Sequence, residues 1–147
     1  MSDSARALTA AVFNASDDTV EMLKVLLSAR GYVVLSGEVD KIKSGEVDFI
    51  AFLEAHRPDA MIWDIAPPYD RNWHFYKLIR ELRSLEQCAI VLTTTHRQHL
   101  NELAGEMVDA LEIIGKPYDL NAIVDAVERA IDERGRSSSR IVGHLPR

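Results

Sequence analysis

The chain has 147 residues, 47% of them hydrophobic, a formal net charge of −6 and one cysteine. That length fits one domain with a real core, and that composition excludes a fibrous repeat and a globally disordered chain. The acidic balance argues against sequence-independent nucleic-acid binding, which needs a basic face, and the lone Cys88 excludes a disulfide framework and a thiolate zinc cluster.

The N-terminal "MSDSARALTA" lacks a basic-then-apolar leader, and no run reaches the length of a membrane span. A cytoplasmic chain with no membrane segment is the expectation. The first apolar run, 10–13, reads as a strand, followed by Asn14 and Ala15. Ser16 or Asp17 can then cap a helix whose stripe is Val20, Leu23, Leu26 and Leu27 and which Gly31 ends. Asp17 and Asp18 fall in its first turn, where acids favour the positive end of the helix dipole, so they read as helix-start residues and not metal ligands. A second apolar run, 32–35, leads into the long polar stretch "SGEVDKIKSGEVD" and a short stripe at Phe49 and Leu53.

The third run, 60–63, ends in Asp64, and Phe75, Leu78, Ile79, Leu82 and Leu85 form the next helical stripe. Trp63 and Trp73 read as packing residues, and Trp63, beside Asp64, is the expected optical reporter on it. Cys88 precedes the fourth run, 89–92, as a buried inert thiol, and Thr93 and Thr94 follow that run. His96 and His99, with His74 elsewhere, lack an acid or thiol to complete a zinc set and read as a solvated face. A stripe at Leu100, Leu103, Ala104 and Met107 precedes the fifth run, 111–114, and then Lys116 and Pro117. The last stripe is Leu120, Ile123, Val124, Val127 and Ile131, and the serine-rich 135–147 reads as a flexible tail behind a single domain of 1–134.

Five short strands alternating with five helices predict an α/β fold with a parallel sheet. Such a sheet binds its ligand outside the carboxyl ends of its strands. Those ends bring Asn14, Ala15, Asp64, Thr93, Thr94, Lys116 and Pro117 to one crevice. A carboxylate, a hydroxyl and an ammonium around one point can handle a phosphoryl group, the first accepting it and the others bonding its oxygens. No glycine-rich phosphate loop follows the first strand, which disfavours P-loop and dinucleotide chemistry.

Residues 10–134 resemble the receiver domain of two-component response regulators. "PDAMIWDIAPPYDRNWHFYKLIREL" is similar to the family's third strand and the loop after it, "AIVLTTT" to its fourth strand, and "LEIIGKPYDLNAIVDAVERAI" to its fifth. "LKVLLSARGYVV" is similar to the end of its first helix and its second strand. The resemblance implies a flavodoxin-like, doubly wound sheet of strand order 2-1-3-4-5, with Asp64 as phosphoacceptor, Thr93 as switch hydroxyl and Lys116 as phosphate contact. It also implies a cis peptide bond before Pro117.

The departures from that family matter as much. Its two acids after the first strand fall at Asn14 and Ala15, and its inward-swinging aromatic falls at Ile113. In the family Mg²⁺ is held by such an acid, the phosphoacceptor and a backbone carbonyl, here Asp64 and the Ala66 carbonyl. With an amide and a methyl in place of the acids, the hard-oxygen shell is degraded and any Mg²⁺ binding is weak; no other cofactor is expected. The expected function is therefore a non-enzymatic signalling module in a phosphorelay-like pathway, with weak or phosphorylation-independent action. Its partner would be a protein: a histidine kinase, a phosphotransfer protein or a downstream effector. The family's partner and homodimer face corresponds to the fourth helix, fifth strand and fifth helix, here 100–134. With no output domain after the tail, any signal would pass by protein contact. Two alternatives stand beside this reading, a conventionally phosphorylated stand-alone receiver and a flavodoxin-like nucleotide or flavin binder.

Overall fold

The computed structural model describes residues 7–14, 16–112 and 119–143, of which 119 and 135–143 by backbone alone. Ala15, Ile113, Lys116 and Pro117 lie outside the described residues. Five strands, β1 (Thr9–Phe13), β2 (Val33–Gly37), β3 (Ala60–Ile65), β4 (Ala89–Thr94) and β5 (Ala110–Glu112), form one sheet in the order β2-β1-β3-β4-β5. Every pairing is parallel, as the alternation of elements predicts. The α-helices are α1 (Asp17–Ala29), α2 (Val39–Lys43), α3 (Phe49–His56), α4 (Tyr69–Ile79), α5 (Arg97–Ala104) and α6 (Asp119–Gly143).

Strand alternation divides the core in two. Ala10, Val12, Ala60 and Ile62 face Val20, Leu23 and Leu27 of α1 and Leu120, Ile123, Val124 and Val127 of α6. Phe13, Met61, Trp63 and Ile65 face the other layer, which Ile42, Phe49, Leu53, Trp73, Tyr76 and Leu100 supply from α2 to α5. All six residues of β3 are buried, because β3 is flanked by strands on both edges and by helices on both faces. Gly37 ends β2 against Phe13, where an added Cβ would stand 2.9 Å from the ring.

Several sequence expectations need correction. Among the described residues there are six α-helices where five are expected: the polar stretch after β2 contains α2, anchored by buried Ile42 with Val39 one turn before it. In α4 the buried face is Trp73, Tyr76 and Ile79, and Leu78 is exposed, because the large indole and phenol turn the helix toward the core. That helix stops at Ile79, and Leu85 belongs to a separate 3₁₀ turn, Arg83–Leu85. Met107 is 85% exposed, since α5 ends at Ala104 and Gly105 closes it in the left-handed region at φ 71°. Strand β2 is only partly covered, as befits a sheet edge. The backbone of α6 is helical to Gly143. A cis peptide bond joins Pro67 and Pro68, and the Lys116–Pro117 bond lies outside the described residues.

Trp63 packs on Phe13 and Phe49 with ring centroids 5.3 Å and 5.7 Å away. Truncation to alanine leaves a cavity in the middle layer of that core, so Trp63→Ala should cost about 3–5 kcal/mol in urea denaturation. Val25→Ala, on the exposed side of α1, should stay within about 0.5 kcal/mol of the parent protein.

Candidate functional site

The parallel register builds the site. Phe13 of β1 pairs with Trp63 of β3, so Asn14 leaves the sheet level with Asp64. Asp64 in turn pairs with Thr93 of β4. An amide, a carboxyl and a hydroxyl therefore lie in one row across the carboxyl ends of three central strands. All three residues are buried.

Each is already engaged. The Thr93 hydroxyl donates to Asp64 Oδ1 at 2.7 Å. The neighbouring Thr94 hydroxyl is turned to the other face and donates to the Ile65 carbonyl at 2.9 Å. Asn14 Oδ1 accepts from the Ser16 amide at 2.8 Å, a local side-chain turn that leads the chain into α1. Ser16 then caps α1, its hydroxyl accepting from the Thr19 amide. Asp17 and Asp18 sit exposed in the first turn of the helix, away from this row.

Beyond Asp64 opens a cavity of about 190 Å³, lined by Glu38, Val39, Asp40, Asp64, Ala66, Pro67 and Asn72. Three of these come from the segment around α2, which sequence reasoning left as a polar loop. A chain of hydrogen bonds closes one side. Lys43 Nζ donates to Asn72 Oδ1 at 2.7 Å, and Asn72 Nδ2 donates to the Ala66 carbonyl at 2.7 Å. Asn72 is a buried polar residue on α4, and both ends of its amide are satisfied. Glu38 is drawn to Lys41 at 3.2 Å. Among the described residues, no group of three or more His, Cys, Asp or Glu side chains is placed to hold a metal ion.

Sequence reasoning missed Asn72 and Lys43. The visible signal was the Val39–Ile42 spacing, one helical turn of apolar residues inside "EVDKIK", with Lys43 next to its buried member. Nothing local in the sequence marks Asn72 as buried.

At the opposite side of the crevice, the Tyr69 hydroxyl lies 2.6 Å from the Thr95 hydroxyl, and its ring meets His99 at a centroid distance of 5.1 Å. His96 caps α5, its Nδ1 accepting from the His99 amide at 3.1 Å. That is a structural role for the histidine pair. The Trp63 indole points into the layer opposite Asp64, so it is a poorer optical reporter on the carboxyl than sequence adjacency suggests.

Burial raises the Asp64 pKa, and the Thr93 hydrogen bond opposes that rise without cancelling it. Low-dielectric surroundings disfavour the carboxylate more than one hydroxyl stabilises it. A carboxyl whose pKa is raised on folding makes the folded state bind the proton more tightly than the unfolded chain does. Ionisation therefore lowers stability: the penalty is absent below the unfolded value of about 4 and grows as pH rises through the folded value.

No protein-family model matches the sequence, and no curated protein does. Solved structures do match the fold. The chain is similar to the chemotaxis response regulator CheY4 of Vibrio cholerae at 18% identity and a TM-score of 0.59, covering 83% of this chain and 99% of that one. It is similar to a response regulator from Thermotoga maritima at 16% identity and a TM-score of 0.62, covering 86% and 99% of the two chains. A CheY-like response regulator receiver domain from Methylobacillus flagellatus matches at 20% identity and a TM-score of 0.57, covering 83% and 99%. At these identities the likeness establishes a CheY-like, flavodoxin-like fold.

Replacing the buried acid by its neutral isostere removes the ionisation penalty. Asp64→Asn should raise Tm by about 3 °C at pH 7 and by nothing at pH 3.5, so that the difference between variant and parent grows with pH. Thermal unfolding across that range checks the sign.

Proposed function

We propose that this chain is a receiver-type signalling module that acts by protein contact and whose metal-assisted phosphorylation is weak or absent. The observation that carries the reading is the Lys43–Asn72–Ala66 chain. The Ala66 carbonyl is the backbone group that the receiver resemblance assigns to Mg²⁺. Here the Asn72 amide bonds it, and a lysine ammonium stands behind that amide. The carbonyl that Mg²⁺ would need is therefore already engaged by an amide donor with an ammonium on its far side.

The other groups support the same reading. Asn14 uses its amide oxygen to start α1 and contributes no negative charge. Burial raises the Asp64 pKa, which disfavours the ionised form that a nucleophile or a hard-oxygen ligand requires. Mg²⁺ needs several hard-oxygen ligands at near-octahedral angles, and the described residues do not fit that demand.

The retained pair of Asp64 and Thr93 favours a second reading, a conventionally phosphorylated receiver, in which Asp64 accepts the phosphoryl group and the Thr93 hydroxyl bonds it. For the contact surface, α5, β5 and α6 offer the family's usual face, and Leu103 and Met107 stand exposed at its edge. A histidine kinase, a phosphotransfer protein or a downstream effector is the class of partner such a face would meet, and a second copy of the chain could use it for a homodimer.

Calorimetry with Mg²⁺ and beryllofluoride separates the two readings. We expect no saturable heat at about 10 mM Mg²⁺, far above the usual range for a competent cytosolic site. Saturable, Mg²⁺-dependent beryllofluoride binding that Asp64→Asn abolishes would establish the conventional receiver instead. The combined variant Asn14→Asp, Ala15→Asp should gain Mg²⁺ binding. Adding Asn72→Ala should strengthen it about fivefold, because one hydrogen bond of about 1 kcal/mol no longer competes for the Ala66 carbonyl.

A further inference from the structure

The amino-terminal end of the sheet carries a larger cavity, of about 530 Å³, whose lining includes Leu53, Arg57, Pro58, Arg83, Ser84 and Gln87. It lies where the chain enters β3 and β4, at the end of the strands opposite Asp64. Its volume is in the usual range for a small-molecule site.

Two guanidinium groups reach this cavity, and among the described residues neither Arg57 nor Arg83 makes an ion pair or a side-chain hydrogen bond. Arg57 is also held in an unusual backbone position. It ends α3 at φ 43° and ψ 62°, the only described non-glycine residue with positive φ. A helix end of this kind favours glycine or asparagine, because the left-handed region crowds a Cβ. An arginine there places a long cationic side chain at the cavity against local backbone preference. Its amide still closes the helix, donating to the Leu53 carbonyl at 2.8 Å.

The acids nearby do not cancel this charge evenly. Asp59 Oδ2 accepts the Thr9 amide at 2.8 Å and so is occupied in tying β1 to the start of β3. Glu54 lines the rim and offsets part of the charge. Cys88 also lines the cavity, and its thiol feels the charge of Arg134 on α6. That thiol is buried, and burial pushes its pKa up to about 12, so Cys88 contributes wall and no nucleophile. Arginine pairs bond planar or tetrahedral oxyanions through several donors at once.

We propose that this cavity binds a phosphate-bearing small molecule, its anionic group held between Arg57 and Arg83. Ser84 and Gln87 supply further hydrogen-bond donors, and Leu53 and Pro58 form an apolar wall for the remainder of the ligand. The site is separate from the Asp64 crevice and stands whether or not Asp64 is phosphorylated.

The test uses inorganic pyrophosphate as probe on the full chain, followed by calorimetry and ³¹P NMR line broadening. We expect saturable binding that Arg83→Gln weakens about tenfold, the effect of losing one charge-assisted contact. Arg57→Gly should weaken it to a similar degree while raising Tm by about 3 °C, because glycine suits the left-handed position. A residue kept only to end the helix would show no change in binding. Absence of saturable binding overturns the proposal. So does binding that both arginine variants leave unchanged, and so does binding that Asp64→Asn abolishes, which would put the anion at the other end of the sheet.

Discussion

The parallel register of β3 with β1 and β4 is the constraint on which the rest of the structure depends. Its hydrogen bonds fix Asn14, Asp64 and Thr93 in one row. A shift of one residue would send Asp64 into the apolar layer now filled by Trp63 and Phe13, so the hydrophobic pattern of the strands and the chemistry of their ends enforce each other. The carboxyl pays for that location in desolvation, which the Thr93 hydroxyl offsets only in part.

Around this fixed row, the loops decide what the site can do. The sheet delivers a carboxyl and a hydroxyl in the arrangement of a CheY-like fold, while α2 and α4 deliver Lys43 and Asn72 to the Ala66 carbonyl. The same framework thus carries a carboxyl–hydroxyl pair set by the sheet and an amide–carbonyl bond set by the loops. A short amphipathic helix of five residues, pinned by Ile42, lines the crevice with Val39 and Asp40 and carries Lys43 to Asn72. The scaffold tolerates this because the strand ends are held by pairing and burial and do not depend on those loops.

The two ends of the sheet differ in electrostatic character. The carboxyl end gathers Glu38, Asp40 and Asp64 around one cavity with no cation in its lining, whereas the amino end sets Arg57 and Arg83 beside Glu54 and Asp59 around another. In a chain of net charge −6, a pair of arginines without acidic partners among the described residues is a local departure from the overall balance. The left-handed Arg57 adds a backbone departure at the same place.

The fold was legible in the sequence because its signals are local: short apolar runs alternating with helical stripes, a serine cap before α1, and a glycine in the left-handed region after its last turn. The five strands, their parallel sense and the convergence of Asp64 with Thr93 followed from those patterns and from the family resemblance. The stripe in α4 differs from the expected one because apolar spacing ranks Leu78 with Phe75 and Ile79, whereas burial favours Trp73 and Tyr76, the side chains with most area to hide. The bond from Asn72 to Ala66, the reach of Lys43 and the presence of Arg57 and Arg83 in one cavity lining join residues from separate elements. Only packing brings those groups together, so the tertiary structure alone decided them.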